Sequence, residues 1–460
     1  MIRLTLEQVA DVVGGSLADD ADAQRTIGDV TIDSRTARPG SLFVPLRGER
    51  ADGHDFVDAA AGRGATGYLL EQRRPHPGTP GAVVVDDPAD ALLGLGAWVR
   101  DHVDPLVIAI TGSSGKTTTK DLVAAAVGAG RRTVANPGSY NNELGVPLTC
   151  CRLTEETEVL VAEVGARGIG HIARLAPLLA PDIAIVTTVG AAHLAMLGDL
   201  DTVARAKTEL VQALSPDGLA VLNADDPRVA AMADAAPGRV ATYAMSSTAD
   251  WRAEDVELDE LARPSFTVRD HRLRLPVPGE HNVGNALAAL VAADAAGVEI
   301  PAAAAALESA TVSRWRMQLL RTPRGLVILN DAYNANPAST KAALTTLARM
   351  ATSGRRWAVL GQMAELGPGS DEAHERIGRL AARLRLDGLV VVGDAAAPIR
   401  DGAVAEGSYD DQHLLTAASP DDVAPLLHGR LRPGDVVLVK ASRSVGLERV
   451  PEDLQGGEQA

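Results

Sequence analysis

Residues 111–120 read Thr-Gly-Ser-Ser-Gly-Lys-Thr-Thr-Thr-Lys and directly follow the apolar run Pro105–Ile110. The run predicts a buried strand, and the residues from Thr117 onward predict a helix. A glycine loop between a strand and a helix surrounds a polyphosphate with backbone N–H groups and a helix N-terminus. We therefore expect this loop to bind ATP or a similar nucleotide.

Each residue type in the loop has a physical role. Gly112 and Gly115 carry no Cβ, so the backbone can approach the phosphates closely. Lys116 can reach the terminal phosphates, and the Thr117 hydroxyl can ligate Mg²⁺. Ile110 stands where the more common Gly-x-x-x-x-Gly-Lys-[Ser/Thr] loop has its first glycine. A chance glycine turn is the alternative, but the position between strand and helix favours a phosphate loop.

Composition bounds the class of protein. The chain has 460 residues, 46% of them hydrophobic, and this length predicts about three domains. A net charge of −16 argues against nucleic acid as a partner. The sequence contains no window of 18 uninterrupted apolar residues, so we expect no membrane span. An acidic residue within Met1–Ala10 argues against a signal peptide. The adjacent Cys150 and Cys151 are expected to be reduced thiols, so we expect a cytoplasmic protein.

Apolar runs divide the chain into three α/β domains, which we place at residues 1–103, 104–312 and 313–460. The first has short strands, one helix-like segment and a helical connector. In the second, continuous apolar runs alternate with helices, which predicts a mainly parallel sheet covered on both faces. The segment Trp251–Leu275 is more typical of antiparallel hairpins. The third repeats the alternation and predicts a second doubly wound, Rossmann-like sheet; only the last ten or so residues are expected to be irregular.

Three polar residues of the middle domain are candidates for chemistry. Glu163 ends the run Val159–Glu163, where an open parallel sheet places ligand-binding groups, and a carboxylate there can hold Mg²⁺. The alternative is a strand-end acid that faces solvent. His193 follows the run from residue 183, although a lone histidine after a strand is more often structural. Lys207 lies in the helical segment Thr202–Leu210 and by itself predicts only a solvated lysine.

Arg314–Met317 precedes a predicted strand. Two further segments carry more polar groups than their structural positions require. The first is Asn330–Pro337, which follows that strand. The second is His281–Asn285, which opens an alanine-rich helix. Asp and Asn clusters at such positions often only cap helices, but one capping group would suffice in each case.

A set of short segments, taken in their order along the chain, resembles the Mur ligase family, the ATP-dependent amide ligases of peptidoglycan precursor synthesis. The likeness spans about residues 30 to 448, and the ordered set is more specific than any single motif. The segments that carry it are Gly112–Thr118, Asn136–Glu143, Glu163, Gly190–Leu194, Ala206–Glu209, Asn223–Pro227, Gly279–Asn285, Arg314–Met317 and Lys440–Arg443.

Within the family, the resemblance is strongest to members that add D-alanyl-D-alanine to UDP-N-acetylmuramoyl-tripeptide. The members that add a diamino acid carry an Asp-Asn-Pro-Arg-like motif in the last domain. Here Asp225–Arg228 lies in the middle domain, at a position shared across the family, so it does not support that assignment. The discriminating segments are Asp33–Arg35, Leu42–Val44, Asp52–His54, Asn330–Pro337 and Gly361–Gly367.

The resemblance implies ATP and Mg²⁺ as cofactors and assigns roles residue by residue. The implied catalytic residues are Lys116, Glu163, His193, Lys207 and Arg316. The implied ATP-binding residues are Gly112, Ser113, Ser114, Gly115, Lys116, Thr117, Thr118, Asn285, Arg316 and Asp331. The implied Mg²⁺ ligands are Thr117, Glu163, His193 and, if it is carbamylated, Lys207. The implied substrate-binding residues are Ser34, Arg35, Phe43, Gly53, His54, Asn141, Asn142, Tyr333, Asn334 and Asn336.

The implied activity is phosphorylation of the tripeptide carboxylate by ATP, followed by attack of the D-alanyl-D-alanine amine. The resemblance implies a small α/β substrate domain, a central P-loop ATPase domain and a C-terminal domain that binds the acceptor. We expect a monomer with no membrane insertion. Because both later domains are implied to contact the nucleotide, we also expect a hinge near residues 310–325.

Other functions remain open on the sequence. A diamino-acid-adding ligase and folylpolyglutamate synthase share the implied middle and last folds, but the latter would not need Asp33–Arg35 or Asp52–His54. A non-catalytic nucleotide-binding regulator would leave Glu163, His193 and Lys207 unexplained. Ala441 and Gln362 depart from the Gly and Asp that many family members have there, which weakens the ligand assignments in the last domain.

Overall fold

The computed structural model describes residues 1–48, 51–74, 78–191, 194–407 and 409–456. It is a mixed α/β structure of three domains with mainly parallel sheets, as the sequence predicts. Among the described residues, no helix has the length and apolar character needed to span a membrane. Cys150 and Cys151 are buried and form no disulfide.

The N-terminal domain contains a five-stranded sheet of order β2-β7-β6-β5-β4, parallel except at β2, and a separate antiparallel pair, β1 and β3. Its strands are β1 (Leu4–Thr5), β2 (Ser16–Leu17), β3 (Thr26–Ile27), β4 (Asp29–Thr31), β5 (Ser41–Phe43), β6 (Gly67–Glu71) and β7 (Ala82–Val85). Its helices are α1 (Leu6–Val13), α2 (Val57–Gly62) and α3 (Pro88–Val103).

The central domain contains a seven-stranded parallel sheet of order β14-β13-β12-β11-β8-β10-β9 and an antiparallel sheet of order β15-β16-β17. Its strands are β8 (Leu106–Thr111), β9 (Thr133–Ala135), β10 (Val159–Glu163), β11 (Ile183–Val186), β12 (Leu219–Asn223), β13 (Arg239–Ala244), β14 (Trp251–Arg252), β15 (Glu254–Leu258), β16 (Pro264–Val268) and β17 (His271–Arg274). Its helices are α4 (Lys116–Gly128), α5 (Gly145–Cys150), α6 (His171–Leu179), α7 (Leu194–Leu197), α8 (Leu200–Gln212), α9 (Pro227–Ala230), α10 (Asn282–Ala295) and α11 (Ile300–Glu308).

The C-terminal domain contains a six-stranded sheet of order β18-β19-β23-β20-β21-β22, in which only β18 and β19 pair antiparallel. Its strands are β18 (Gln318–Arg321), β19 (Val327–Asn330), β20 (Arg356–Leu360), β21 (Gly388–Val392), β22 (Leu414–Ala417) and β23 (Val436–Lys440). Its helices are α12 (Pro337–Arg349), α13 (Ser370–Arg383), α14 (Ala397–Ala405), α15 (Val423–Leu427) and α16 (Val450–Gly456). Short 3₁₀ helices include Ser34–Thr36 and Gly53–Phe56 in the N-terminal domain.

The central sheet is buried on both faces, which explains its continuous apolar strands. Successive residues of a strand point to opposite faces. Accordingly, Val107 and Ala109 of β8 belong to one hydrophobic cluster, whereas Ile108 and Ile110 belong to another. The first cluster also includes Leu95 of α3 and residues of the N-terminal sheet, so the N-terminal and central domains share a hydrophobic core.

Parallel pairing brings the carboxyl ends of β8, β10 and β11 to one edge of the central sheet. Glu163, the last residue of β10, pairs in register with Ile110, and Val186 pairs with Thr111. Ligands of open parallel sheets bind at this edge. The loop before α4 begins here, so the phosphate loop and Glu163 lie beside one another.

The structure departs from the sequence prediction at several elements. The strand that begins at Ile183 ends at Val186, and the hydroxyl of the next residue, Thr187, donates a hydrogen bond to the Ser114 carbonyl at 2.6 Å. The strands β9, β13 and β18 were not predicted. The expectation of irregular structure from about residue 451 is wrong as far as Gly456, because α16 reaches that residue.

The phosphate loop requires glycine at two positions. Gly112 has φ 147°, and a Cβ there would overlap Thr187 Oγ1 on the loop after β11. Gly115 has φ 85°, and a Cβ there would lie 2.8 Å from Asn285 Oδ1 of α10. The loop is therefore packed directly against both neighbouring elements.

Gly112→Ala is expected to weaken ADP binding by about tenfold or more, because a strained backbone position costs about 1–3 kcal/mol and the clash adds to that cost. Isothermal titration calorimetry with ADP measures the change. Gly128→Ala is the matched control, since a Cβ there has no heavy atom within 4 Å. Equal ADP affinity for Gly112→Ala and Gly128→Ala would contradict the tight packing of the loop.

Candidate functional site

A cavity of about 1090 Å³ lies between the central and C-terminal domains. Its wall is formed by the phosphate loop, the loop before α5, the carboxyl edge of the central sheet and the start of α12. Among the predicted site residues, the cavity is lined by Ser113, Ser114, Gly115, Lys116, Thr117, Thr118, Asn141, Asn142, Glu163, Asn285, Arg316, Asp331, Tyr333, Asn334 and Asn336.

The phosphate loop is held by its own lysine and by the loop after β11. Lys116 Nζ donates to the Gly112 carbonyl at 2.7 Å, and Ser114 N donates to Thr188 Oγ1 at 3.0 Å. Burial lowers the pKa of Lys116; the Glu163 carboxylate opposes that shift and the Arg316 guanidinium adds to it. An anion in the cavity would stabilise the charged form of this lysine.

The Glu163 carboxylate is 1% exposed, yet it borders the cavity. Thr117 Oγ1 donates to Glu163 Oε2 at 2.7 Å, and Asn141 Nδ2 donates to Glu163 Oε1 at 2.6 Å. The backbone of Glu163 is held as well, because its N–H donates to Asn136 Oδ1 at 2.8 Å. A buried carboxylate in this setting remains ionised only when it is well hydrogen-bonded or faces a cation.

A chain of hydrogen bonds links the C-terminal domain to this carboxylate. Arg316 Nη2 donates to Ser139 Oγ at 2.8 Å, and Ser139 Oγ lies 2.9 Å from Thr117 Oγ1. Because the single Thr117 hydroxyl proton goes to Glu163, Ser139 is the donor in the middle contact. Every donor in the chain therefore points toward Glu163.

The oxygen donors at this edge fit a magnesium ion. Mg²⁺ prefers one or two carboxylates together with water and substrate phosphates. Thr117 Oγ1 uses one lone pair to accept from Ser139 and keeps the other, and the Glu163 carboxylate has further acceptor capacity. His193, the other predicted ligand, lies outside the described residues. Among the residues that the structure does describe, no group of three or more His, Cys, Asp or Glu side chains could hold a metal.

Lys207 lies on α8 and is 2% exposed. Burial, reinforced by repulsion from Lys116, lowers the pKa of Lys207 to about 7, and Glu209 only partly offsets this. Lys207 does not line the cavity, although Lys116 is within its electrostatic reach. The interpretation of Lys207 as a solvated lysine is therefore wrong, and part of its population is a neutral amine near neutral pH.

The C-terminal domain places its polar cluster on the opposite wall. The Arg316 guanidinium lies 4.1 Å from the centre of the Tyr333 ring, and its buried Nε has no partner among the described residues. Asn336 Nδ2 donates to Ser114 Oγ at 3.0 Å. Asn336 thus contacts the phosphate loop from a different domain.

Asp331 and Asn285 are already hydrogen-bonded. Lys440 Nζ lies 2.5 Å from Asp331 Oδ2 and donates to the Asn334 carbonyl at 2.9 Å. Asn285 Oδ1 accepts from Thr119 Oγ1 at 3.1 Å, beside the phosphate loop. These contacts fix both side chains along the cavity wall.

The structure does not bring the predicted N-terminal residues into this cavity. Arg35 is 82% exposed and pairs with Asp33, and the ring of Phe43 is buried in the domain core. His54 Nδ1 lies 2.8 Å from Asp52 Oδ1, and burial lowers its pKa. The remaining two are Ser34 and Gly53, which also lie outside the cavity lining.

Ser139 and Asn136 were quoted within a motif but received no role from the sequence. Their spacing gave no sign that one would contact Arg316, 177 residues away, and the other the backbone of Glu163. Lys120 and Asp121 were also missed. Their positions, three and four residues after Thr117, place Lys120 and Asp121 on the same side of α4 as Thr117. This spacing could have indicated that they lie near the site.

Three family models match the chain. The Mur ligase family catalytic domain matches residues 26–87, the Mur ligase middle domain matches residues 110–293, and the Mur ligase glutamate ligase domain matches residues 315–443. The matched ranges contain the phosphate loop, Glu163 and Arg316.

Curated relatives and solved structures agree with these matches. The UDP-N-acetylmuramoyl-tripeptide–D-alanyl-D-alanine ligase of Mycobacterium tuberculosis H37Rv is 44% identical over 502 residues, covering 99% of this chain and 98% of that protein. A crystal structure of MurF from Acinetobacter baumannii has a TM-score of 0.88 at 31% identity, covering 99% of both chains. MurF ligase from Thermotoga maritima in complex with ADP has a TM-score of 0.79 at 29% identity, covering 93% of this chain and 97% of that one.

Likeness to folylpolyglutamate synthase is limited to the fold. The Mycobacterium tuberculosis enzyme matches with a TM-score of 0.60 at 19% identity, covering 78% of this chain and 95% of that one. On the full-length identity to curated ligases and the three matched models, the chain belongs to the Mur ligase family.

Proposed function

We propose that this chain is an ATP-dependent ligase that joins D-alanyl-D-alanine to UDP-N-acetylmuramoyl-tripeptide, giving the pentapeptide precursor of peptidoglycan, ADP and phosphate. The relatives that cover its full length carry this activity in their names. We further propose that it acts as a monomer in the cytoplasm, with domain boundaries after residues 103 and 312.

The observation that carries the proposal is the hydrogen-bonded chain from Arg316 to Glu163. It crosses from the C-terminal to the central domain and ends at the carboxylate beside the phosphate loop. A ligase of this kind must hold ATP, a carboxylate substrate and an amine in one enclosed space. The cavity between the two domains supplies that space.

In the first step, a terminal carboxylate oxygen of the tripeptide bonds to the γ-phosphorus of ATP, and ADP leaves. The chemistry needs in-line positioning and neutralisation of negative charge. We assign the positioning to the backbone N–H groups of Gly112–Thr118 and the neutralisation to Lys116 and Arg316. Thr117 and Glu163 would hold Mg²⁺, with His193 as the further predicted ligand, and the ion would supply additional charge neutralisation.

In the second step, the amine nitrogen of D-alanyl-D-alanine attacks the acyl carbon of the phosphorylated substrate. The tetrahedral intermediate then expels phosphate, and the nitrogen loses a proton. Both nucleophiles belong to the substrates, so the chain needs no nucleophilic Ser or Cys. We assign Tyr333, Asn334 and Asn336 to the wall that faces the acceptor.

The remaining substrate contacts are also proposals. Asn141 and Asn142 border the cavity and would contact the muramoyl substrate. The N-terminal residues Ser34, Arg35, Phe43, Gly53 and His54 would hold the UDP portion, with Phe43 contributing through its backbone because its ring is buried.

We expect phosphate release from ATP only when UDP-N-acetylmuramoyl-tripeptide and D-alanyl-D-alanine are both present. A coupled phosphate assay with each amine in turn separates the alternatives. Phosphate release stimulated by a diamino acid with the dipeptide substrate would identify a diamino-acid-adding ligase instead. Phosphate release stimulated by glutamate with a folate would identify a folylpolyglutamate synthase instead. If no combination of substrate and amine supports turnover, the result would favour a nucleotide-binding regulator.

We also propose that Lys207 is carbamylated. A neutral amine nitrogen attacks the carbon of CO₂ and loses a proton, which replaces a cation with an anion. The pKa of about 7 supplies a substantial neutral fraction at neutral pH. The carbamate would also exchange the repulsion between Lys207 and Lys116 for attraction, which favours the modified form in this buried place.

Lys207→Ala is expected to lower kcat by about 10- to 100-fold, because it removes a group that supports the proposed metal site. Small carboxylates such as formate or acetate should restore part of that loss. Lys341→Ala, at an exposed lysine of α12, is the control and should keep wild-type activity. Full activity of Lys207→Ala without added carboxylate would refute the carbamate.

The carbamate should also depend on pH in a stated direction. The neutral fraction of Lys207 rises as the pH increases through about 7, so carbamate occupancy at fixed dissolved CO₂ should be higher at pH 8 than at pH 6. Carbon-13 NMR of protein equilibrated with labelled CO₂ measures the occupancy. A carbamate signal that is stronger at pH 6 would contradict this assignment.

A further inference from the structure

Lys120 is a buried cation that does not reach the cavity. It is 3% exposed, lies on α4 three residues after Thr117 and is absent from the cavity wall. Its ammonium has three partners: the Asn136 carbonyl at 2.9 Å, the Gly138 carbonyl at 3.2 Å and Asp121 Oδ1 at 2.6 Å. The three N–H groups of the ammonium therefore each have an acceptor.

The two carbonyls belong to the segment that arranges the Glu163 side chain. We call residues 136–141 the Asn136–Asn141 loop. The Asn136 side chain accepts a hydrogen bond from the backbone N–H of Glu163, and the Asn141 side chain donates one to the Glu163 carboxylate. The Ser139 hydroxyl is hydrogen-bonded to the Thr117 hydroxyl. Lys120 holds the backbone of this loop through the Asn136 and Gly138 carbonyls, and it does not line the cavity.

Asp121 extends the same arrangement to the junction with the C-terminal domain. Its Oδ1 lies against Lys120, and its Oδ2 accepts from the backbone N–H of Ser313 at 2.7 Å. Ser313 stands three residues before Arg316, whose guanidinium bonds Ser139 of the Asn136–Asn141 loop. One ion pair on α4 thus contacts both the loop and the interdomain linker.

We propose that Lys120 and Asp121 form a positioning pair that sets the Asn136–Asn141 loop and the linker at Ser313 in register, so that Arg316, Thr117 and Glu163 meet around the nucleotide. Neither residue touches ligand. The pair acts through Ser139 and Asn141, and it makes the metal-binding side chains dependent on the position of the linker. This inference deepens the proposed function and rests on it for the identity of the reaction.

The test uses the full chain with Lys120→Met, which keeps length and apolar bulk but removes charge and donors. We expect its affinity for a fluorescent non-hydrolysable ATP analogue without Mg²⁺ to stay within about threefold of wild type, because Lys120 does not line the cavity. The gain in affinity on adding Mg²⁺ should fall by about tenfold, and kcat by about 10- to 100-fold. Lys341→Met is the matched control and should behave as wild type in all three measurements.

A purely structural role would lower the melting temperature and the active fraction while leaving the Mg²⁺ response and kcat per folded molecule unchanged. That result would overturn the proposal. If wild-type protein fails to ligate the expected substrates, the proposed function fails, yet the Mg²⁺ response of analogue binding still decides the role of Lys120.

Asp121→Asn keeps the shape and one oxygen for the Ser313 N–H but removes the ion pair. This variant should reduce the gain in analogue affinity on adding Mg²⁺ by about threefold to tenfold. If Lys120→Met does not fold, the result for Asp121→Asn tests the proposal in its place. Unchanged Mg²⁺ response in Asp121→Asn would count against the pair. In the double variant, an effect no larger than that of Lys120→Met supports a single coupled unit, whereas full additivity contradicts it.

Discussion

The hydrogen bond from the Thr117 hydroxyl to the Glu163 carboxylate, 2.7 Å long, is the contact on which the site depends. It joins the first turn of α4 to the end of β10, and so joins the phosphate loop to the carboxyl edge of the central sheet. Glu163 is almost fully buried, and its carboxylate accepts this hydrogen bond and a second from Asn141. In the proposed mechanism, the orientation of this one buried carboxylate links nucleotide binding to metal binding.

The C-terminal domain contributes to the same contact from a distance. Arg316 reaches Ser139, Ser139 reaches Thr117, and the donors all point toward Glu163. In the proposed mechanism, the two residues assigned to charge neutralisation, Lys116 and Arg316, belong to different domains. This arrangement suits a ligase, because water must be kept from an acyl phosphate until the amine arrives.

The sequence predicted the parts of the fold that depend on local pattern. The apolar strands β8 and β10 were predicted correctly, because both faces of the central sheet are buried and their residues form continuous apolar runs. The strand β13 was missed because Arg239 and Thr242 interrupt its apolar residues, and its first two residues are exposed. Phe43 was predicted to bind substrate, and in the structure its ring packs in the N-terminal core.

The predictions for the site divide in the same way. Lys116, Thr117 and Glu163 were identified from strand ends and loop spacing, and the structure brings them together at one edge. By itself, the helical segment around Lys207 predicted a solvated lysine, and only the family resemblance placed Lys207 at the site. The burial of a lysine on an amphipathic helix depends on partners remote in sequence, which the local pattern does not show. The hydrogen bond between Arg316 and Ser139 joins residues 177 positions apart, and no local sequence pattern predicts such a contact.

The most direct test of the account is a crystal structure of the chain with ADP and Mn²⁺, with the metal located by its anomalous scattering. The account predicts phosphates on the Gly112–Thr118 loop and a manganese ion within coordination distance of both Glu163 and Thr117. Phosphates bound elsewhere, or a metal that contacts neither side chain, would contradict it.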